Sequence, residues 1–276
     1  TTIILPYLNT NPNLNMIGGH ILWTDVESET HDPIFEQVPF SHPLWILYSS
    51  GTTGLPKPIV HSHGGIIIEH MKVLSLHLDL KHTDHFFWFT TTGWMMWNLL
   101  IGGLLVGSTL VLYDGDPAYP NLETLWKFAE ETGTTYFGTS APFIQSCMKA
   151  NLNPVKHFNT SLIKGLGSTG SPLSPEGFKW IYDNVNENLL LGSFSGGTDL
   201  CTGFVGPIPL LPVTAGEIQC RCLGAKVEAY DPSGKSLLNE VGELVIEKSM
   251  PSMPTNFWND SGNKRYRQSY FDLYPR

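Results

Sequence analysis

A loop rich in serine, threonine and glycine is the stretch whose residue types are best suited to chemistry. It runs from Ser49 to Leu55, and Lys57 follows it between two prolines. Such a loop can turn many backbone N–H groups and hydroxyls toward one anion, and the lysine adds a positive charge. An apolar run of strand length, Leu44–Tyr48, precedes it. This order of strand, loop and lysine predicts a site that holds a polyphosphate.

Two other interpretations of this loop are weaker. A Walker A motif needs Ser or Thr directly after the lysine, whereas Pro58 follows Lys57 here. A flexible linker has a similar composition, but linkers rarely lie between two apolar segments, and apolar residues resume at Ile59. The residues therefore favour phosphate binding, with a linker as the alternative.

Two more polar loops follow predicted strands. One contains Gly170, Ser171 and Pro172, and the other ends in Thr198 and Asp199, a hydroxyl and a carboxylate that suit a phosphate oxygen and magnesium (Mg2+). A plain turn is the alternative for the second loop. Because open α/β sheets bind ligands at the carboxyl ends of their strands, we expect the polar loops to converge on one crevice.

The glycine spacing before Pro172 also matches the dinucleotide fingerprint formally. That fingerprint must open directly into a helix. Here Pro172 intervenes, and Ser174 and Pro175 predict a later helix start, as N-cap and first-turn residue. A hydride-transfer enzyme is therefore a poor alternative.

Bulk composition excludes several classes of protein. The chain has 276 residues, of which 41% are hydrophobic and 15% charged, as expected for a globular protein with an ample core. The net charge of −9 argues against nucleic acid as the main partner, although ATP needs only local donors. The four cysteines lack metal-site spacing. We predict a cytoplasmic protein with reduced thiols and no membrane span, since no secretion signal or bilayer-length apolar segment occurs.

Strand and helix patterns alternate through the middle of the chain. Helices are predicted at 65–78, 122–131 and 141–148 and from residue 175, and strands at 3–8, 84–92, 109–113, 134–138 and 189–194. This alternation predicts an α/β fold with a largely parallel sheet covered by helices. Short alternating strands from residue 204 to 246 predict a smaller antiparallel β subdomain near the C-terminus. We divide the chain into a subdomain remnant (1–43), a nucleotide- and acyl-binding α/β subdomain (44–203) and a β-rich subdomain (204–276).

Two residue groups have open interpretations. The run Trp94–Trp97 follows a predicted strand end, so it either lines a pocket or belongs to the core. Histidines at 61, 63, 77, 82 and 85 lack carboxylates at ligand spacing, which favours hydrogen-bonded or solvated histidine over a metal site. The basic cluster Lys264–Arg267 is interpreted as a solvated face.

The segment Ser49–Lys57 resembles the phosphate loop of the adenylate-forming superfamily, which includes acyl-CoA synthetases, luciferases and peptide-synthetase adenylation domains. Three further runs, Thr90–Asn98, Gly167–Leu173 and Ser195–Asp199, resemble the acetoacetyl-CoA synthetases, close kin of the acetyl-CoA synthetases. The resemblance covers about residues 40 to 276, the middle of a larger enzyme. It implies an incomplete N-terminal domain of an adenylate-forming enzyme, without the ribose-binding Asp and the C-terminal lysine-bearing domain.

The resemblance also implies an activity, an ATP-dependent ligation of acetoacetate to CoA through an acetoacetyl-adenylate, with magnesium. It assigns catalytic roles to Lys57, Thr198 and Asp199, with Asp199 supporting the metal. The implied ATP contacts are Ser49, Ser50, Gly51, Thr52, Thr53, Gly54, Lys57, Gly170, Ser171, Pro172, Ser193, Phe194, Ser195, Gly196, Gly197 and Thr198. The implied acyl pocket is lined by Trp94, Met95, Met96, Thr169 and Gly196.

One departure from the family pattern concerns the acyl pocket. Acetyl-specific relatives carry Trp where this chain has Gly196, so the resemblance implies room for a longer acid such as acetoacetate or butyrate. Ser195 is our candidate donor to the 3-keto oxygen. We expect this chain alone to be catalytically incompetent, and the alternative function is a non-catalytic nucleotide- or acyl-binding regulatory protein of the same fold.

Overall fold

The computed structural model describes residues 1–7, 9–10, 13–15, 17–28, 30–49 and 56–274. The chain divides into two compact units, Thr1–Val38 and Pro39–Arg276. In the first unit, strand β1 (Thr2–Ile4) pairs in parallel with β2 (His20–Leu22), and helix α1 (Trp23–Glu27) follows. The strand predicted at 3–8 is thus shorter and begins one residue earlier, with Leu8 outside the described residues.

A five-stranded parallel sheet forms the centre of the second unit. Its strands, in spatial order, are β6 (Thr109–Val111), β5 (His85–Trp88), β7 (Tyr136–Ser140), β8 (Gly165–Thr169) and β9 (Leu190–Ser193). Every neighbouring pair is parallel. The predicted parallel α/β sheet is confirmed.

Helices cover both faces of this sheet. They are α2 (His63–Lys72), α3 (Met96–Gly102), α4 (Thr124–Glu131), α5 (Ala141–Lys149), α6 (Pro154–His157) and α7 (Pro175–Asn184). The helix predicted at 65–78 ends as α-helix at Lys72 and continues as a π-helical turn, Val73–His77. Serine hydroxyls cap the N-termini of α2, α5 and α7. Each accepts a hydrogen bond from the backbone N–H three residues later, which has no partner within the helix.

Because side chains alternate in direction along each strand, two hydrophobic cores form, one on each face of the sheet. Phe87 and Phe137 face one way, where Trp126 stacks on Phe137 with ring centroids 4.7 Å apart. Trp88 and Tyr136 face the other way, toward α3. Trp88 lies flat on two strands because both carry glycine beneath it; a Cβ at Gly138 would come within 2.1 Å of its ring.

Three small antiparallel sheets complete the second unit. They are β3 (Pro43–Ser49), β4 (Lys57–Ser62) and β16 (Asn256–Phe257); β10 (Ser195–Gly197), β11 (Thr202–Gly206) and β12 (Cys220–Arg221); and β13 (Val227–Tyr230), β14 (Ser236–Leu237) and β15 (Glu243–Ile246). The predicted antiparallel region near the C-terminus is confirmed. The chain closes with α8 (Lys264–Tyr270).

The structure shows two strand pairings that the sequence analysis did not specify. The strand before the phosphate loop belongs to an antiparallel hairpin, not to the parallel sheet, because β3 pairs with β4 up to the pair Ser49 and Lys57. Lys57 is therefore the first residue of a strand. Ser195–Gly197, expected as part of a polar loop, forms β10, which pairs with β11 although serine and glycine have low strand propensity.

Candidate functional site

A cavity of about 500 Å³ lies beyond the carboxyl ends of β8 and β9. Two polar segments line it, Thr169–Pro172 at the end of β8 and Ser193–Thr198 at the end of β9. Its apolar wall includes Trp94, Met95 and Met96, at the entrance to α3. The structure thus brings both predicted polar loops and the predicted acyl-pocket residues to one cavity. Its volume lies within the usual range for small-molecule sites.

The segment after β8 is shaped by a glycine with a left-handed backbone. Gly170 has φ +90°, and α7 starts only at Pro175, with the Ser174 hydroxyl accepting from Gly177 N–H at 3.2 Å. The late helix start argues against the dinucleotide interpretation, as the sequence predicted. A Cβ at Gly170 would lie 3.9 Å from the Trp94 ring, so the loop backbone and this indole face each other.

The segment after β9 is tied to β8 before it turns into β10. Phe194 N–H donates to Ser168 O at 3.0 Å, and the Thr169 hydroxyl donates to Phe194 O at 3.2 Å. The carbonyl of Phe194 therefore accepts a hydrogen bond from β8, while Ser193 and Ser195 line the cavity.

Gly196 lines the cavity, but its missing side chain would not point into open space. A Cβ there would lie 2.4 Å from Thr202 O and 2.9 Å from Gly203 Cα, both in β11. The register between β10 and β11 shifts between Ser195 and Gly196, and this irregularity brings the two backbones together. The close approach gives a reason for glycine that is separate from acyl-pocket size.

Lys57, Asp199 and Tyr270 form a compact charged cluster. Lys57 Nζ lies 2.6 Å from Asp199 Oδ1, and the Tyr270 hydroxyl donates to the same oxygen at 2.5 Å. The lysine ammonium also lies 5.3 Å from the Tyr270 ring centroid. Burial, followed by the bond to the negative carboxylate, raises the pKa of the Tyr270 hydroxyl, so it is a neutral donor. Lys57, predicted to bind phosphate, is thus in contact with Asp199, predicted to bind the metal.

Thr198 and Asp199 face different cavities. Thr198 lines the first, whereas Asp199 lines a second cavity of about 640 Å³ between α8 and the β13–β15 sheet.

Of the predicted phosphate loop, Ser50, Gly51, Thr52, Thr53 and Gly54 lie outside the described residues. Ser49 is described; its hydroxyl is buried and has no hydrogen-bond partner in the described part of the chain.

Tyr270 is the residue that sequence reasoning missed. It follows the basic cluster Lys264–Arg267, whose Lys and Arg side chains are exposed as predicted. Tyr270 instead packs against Phe257 of β16, with ring centroids 5.6 Å apart. The signal available in the sequence was the recurrence of aromatic residues at helical spacing, at Tyr266 and Tyr270.

Three buried histidines attach the β10–β11 region to β4 and the α2 segment. His61 Nε2–H donates to Asp199 O at 2.8 Å, His70 Nε2–H to Cys201 O at 3.0 Å, and His77 Nδ1–H to Pro207 O at 2.7 Å. Burial lowers the pKa of each imidazole, that of His70 to about 4. All three are therefore neutral donors at pH 7. The hydrogen-bonded interpretation of His61 and His77 agrees with this geometry.

The described residues contain neither a metal-binding cluster nor a membrane-spanning helix. No group of three or more His, Cys, Asp or Glu side chains there is arranged to hold a metal ion. No helix in that part of the chain has the length and apolar character needed to cross a bilayer.

Comparison with known proteins gives consistent results. Residues 15–253 match the family model described as AMP-binding enzyme. The acetoacetyl-coenzyme A synthetase of Rhizobium meliloti (strain 1021) is 44% identical over 276 residues, and that of Gallus gallus 46% over 241 residues. The solved structure of acetoacetyl-CoA synthetase from Streptomyces lividans is 51% identical, with a TM-score of 0.93.

Each match covers most of this chain but less than half of the relative. They include 99% of this chain but 42% of the Rhizobium meliloti protein and 42% of the Streptomyces lividans structure, and 87% of this chain with 36% of the Gallus gallus protein. The chain therefore spans less than half of the relatives that it matches. Since the family model covers most of its residues, including both sides of the first cavity, the chain belongs to the AMP-binding enzyme family.

Proposed function

We propose that this chain is the acid- and nucleotide-binding part of an ATP-dependent acid–CoA ligase. The full-length protein activates acetoacetate as acetoacetyl-adenylate and transfers the acyl group to CoA. The observation that carries this proposal is the 500 Å³ cavity, in which an apolar wall and two polar loops lie together. An acyl-adenylate has the matching chemistry, a short apolar chain joined to a phosphate and a purine.

The acyl group is assigned to the apolar wall. Trp94, Met95 and Met96 give a surface for the carbon chain, and Thr169 and Ser195 supply nearby hydroxyls. Ser195 is the candidate donor to the 3-keto oxygen, which butyrate lacks. A site that offers a hydroxyl to a keto group favours the keto acid, because an unmatched buried hydroxyl lowers affinity for the analogue.

The nucleotide is assigned to the polar loops. The Gly170–Pro172 backbone borders the purine, Thr198 contacts the α-phosphate, and Lys57 serves the β and γ phosphates. In the free protein Lys57 lies on Asp199, so the triphosphate competes with this carboxylate for the lysine.

Asp199 fits the role of a magnesium ligand. Magnesium prefers oxygen ligands and commonly takes one or two carboxylates together with phosphates and water. Among the described residues, Lys57 and Tyr270 both contact Oδ1 of Asp199, so we assign Oδ2 to the cation. When bound, the cation would neutralise charge on the phosphates.

The reaction asks for positioning and charge neutralisation more than for covalent chemistry by the protein. The acetoacetate carboxylate attacks the α-phosphorus, a new P–O bond forms, and pyrophosphate leaves with the cleaved bond's electrons. The CoA thiolate then attacks the acyl carbon, and AMP leaves. Lys57 balances the charge on the departing pyrophosphate, and Thr198 orients the α-phosphate.

Pyrophosphate release by the full-length protein tests the proposal. The acids compared are acetate, acetoacetate, butyrate and 3-hydroxybutyrate, each with ATP, magnesium and CoA. We expect the highest kcat/KM with acetoacetate. A preference for acetate would contradict the enlarged acyl pocket. ATP binding without pyrophosphate release for any acid would instead support a non-catalytic regulatory protein of this fold.

A further inference from the structure

Strand β4 brings two side chains to the same residue of the proposed site. Lys57 and His61 are four residues apart on β4, and because strand side chains alternate, both lie on one face. Lys57 reaches the Asp199 side chain, with Nζ 2.6 Å from Oδ1. His61 reaches the Asp199 main chain, with Nε2 2.8 Å from the carbonyl oxygen. Strand β4 thus contacts both the side chain and the main chain of Asp199.

The imidazole of His61 is held in a fixed place and tautomer. The residue is fully buried, and its register partner on β3 is Trp45. A carbonyl oxygen only accepts, so Nε2 carries the hydrogen. Its Nδ1 is buried without a hydrogen-bond partner among the described residues. Burying an unmatched ring nitrogen lowers stability, so an apolar residue would suit this position better if packing were its only role.

The main chain that His61 holds is a tight turn between β10 and β11. Cys201 N–H donates to Thr198 O at 3.2 Å, and Cys201 has a left-handed backbone, with φ +50°. A non-glycine residue in this region is strained and needs support from its surroundings. The bond from His61 to Asp199 O gives such support at the point where the chain passes from Thr198 to the carboxylate.

We propose that His61 is a positioning residue that fixes the main chain of Asp199, and with it the direction of the carboxylate toward Lys57 and a magnesium-bound nucleotide. This inference rests on the proposed function. His61 touches neither substrate nor metal; it acts through Asp199. Residues that orient a metal ligand in this way typically change metal affinity or activity about 10–100-fold when replaced.

The test compares donor-keeping and donor-free variants of the full-length protein. His61→Leu removes the donor, His61→Asn moves an amide nitrogen to the wrong place, and His61→Gln can donate from about the position of Nε2. We expect His61→Leu and His61→Asn to raise the magnesium concentration for half-maximal pyrophosphate release about tenfold. We expect the KM for acetoacetate to change little and His61→Gln to recover most of the loss.

His77→Leu is the matched control. His77 is also fully buried and also donates to a main-chain carbonyl, that of Pro207, beyond the end of β11. We expect His77→Leu to lower Tm without moving the magnesium dependence. If His77→Leu and His61→Asn shift the magnesium dependence equally, or if His61→Gln is no better than His61→Asn, the positioning role is refuted.

A second readout separates this inference from the proposed function. If the unaltered protein releases no pyrophosphate with any acid, the proposed function fails, and calorimetric ATP binding with and without magnesium then tests His61. Weaker binding of His61→Asn only in the presence of magnesium supports positioning of Asp199. Equal weakening in both conditions overturns it.

Discussion

Gly196→Ala is expected to destabilise the protein, because the added methyl group meets the backbone of β11. The ideal Cβ lies 2.4 Å from Thr202 O, 2.9 Å from Gly203 Cα and 3.1 Å from Thr202 C. A carbon and a carbonyl oxygen are comfortable at about 3.3 Å. The two strands must therefore separate by about 1 Å. No side-chain rotation relieves the contact, because all three atoms belong to the main chain.

The size of the effect follows from this overlap. Insertion of a methyl group into a tightly packed region typically costs about 1–3 kcal/mol. For a unit of this size, about 2 kcal/mol corresponds to a Tm about 4–8 °C lower. The displaced β10 also carries the cavity wall, so we expect the KM for acetoacetate to rise together with the loss of stability.

Thermal unfolding of the two alanine variants gives the measurement. Gly93→Ala is the control, because a Cβ at Gly93 would have one neighbour within 4 Å, Thr91 Oγ1, at an ordinary 3.9 Å. Its Tm should stay the same or rise slightly, since alanine restricts the unfolded chain. A Gly196→Ala protein with unchanged or higher Tm would refute the close-approach argument and return Gly196 to a role in acyl-pocket size alone.

Three further outcomes are expected. Tyr270→Phe should lower the free energy of unfolding by about 1.5–3 kcal/mol in urea titrations, since it removes a hydrogen bond to a charged group. No change would show that the bond to Asp199 is not made in solution. His70 has a folded-state pKa of about 4 against 6.5 unfolded, so the unfolded chain binds the proton first as pH falls. The free energy of unfolding should therefore fall by about 2 kcal/mol between pH 7.5 and 5 because of this residue. His70→Gln should reduce the dependence of the unfolding free energy on pH. An equal pH dependence in the two proteins would contradict a lowered pKa for His70. Lys57→Met should lower kcat for pyrophosphate release by about 10²-fold, whereas Lys179→Met, which removes an exposed ion pair on α7, should not.

Sequence periodicity predicted the parallel sheet and the helices α2, α4, α5 and α7, but neither the strand order nor the short helix α6. Buried strands such as Phe86–Trp88 are continuous apolar runs, and the helices that follow start at recognisable caps, for example Ser140 and Ser174. These signals are local, so they can be interpreted without knowing the tertiary structure. The first cavity could be predicted for the same reason, since polar loops after parallel strands meet at one edge.

Long-range pairings could not be predicted in this way. Lys57 was expected at the end of a loop that leads into the next element, yet it is the first residue of a strand in a separate antiparallel hairpin. The contact from Tyr270 to Asp199 spans 71 positions, and that from His61 to Asp199 spans 138. Neither residue has a local pattern that identifies its partner. The steric reason for Gly196 also depends on a neighbouring strand, which the sequence of β10 does not specify.

The most direct test of the account is a crystal structure of the protein with a non-hydrolysable acetoacetyl-adenylate analogue. We expect the acyl chain to lie against Trp94 and Met95, the phosphate to lie at Thr198, and the purine to lie beside Pro172. An analogue bound in the second cavity, or one whose acyl chain lies away from Trp94, would contradict the claim that the segments at Pro172 and Thr198 serve one nucleotide beside the acyl pocket.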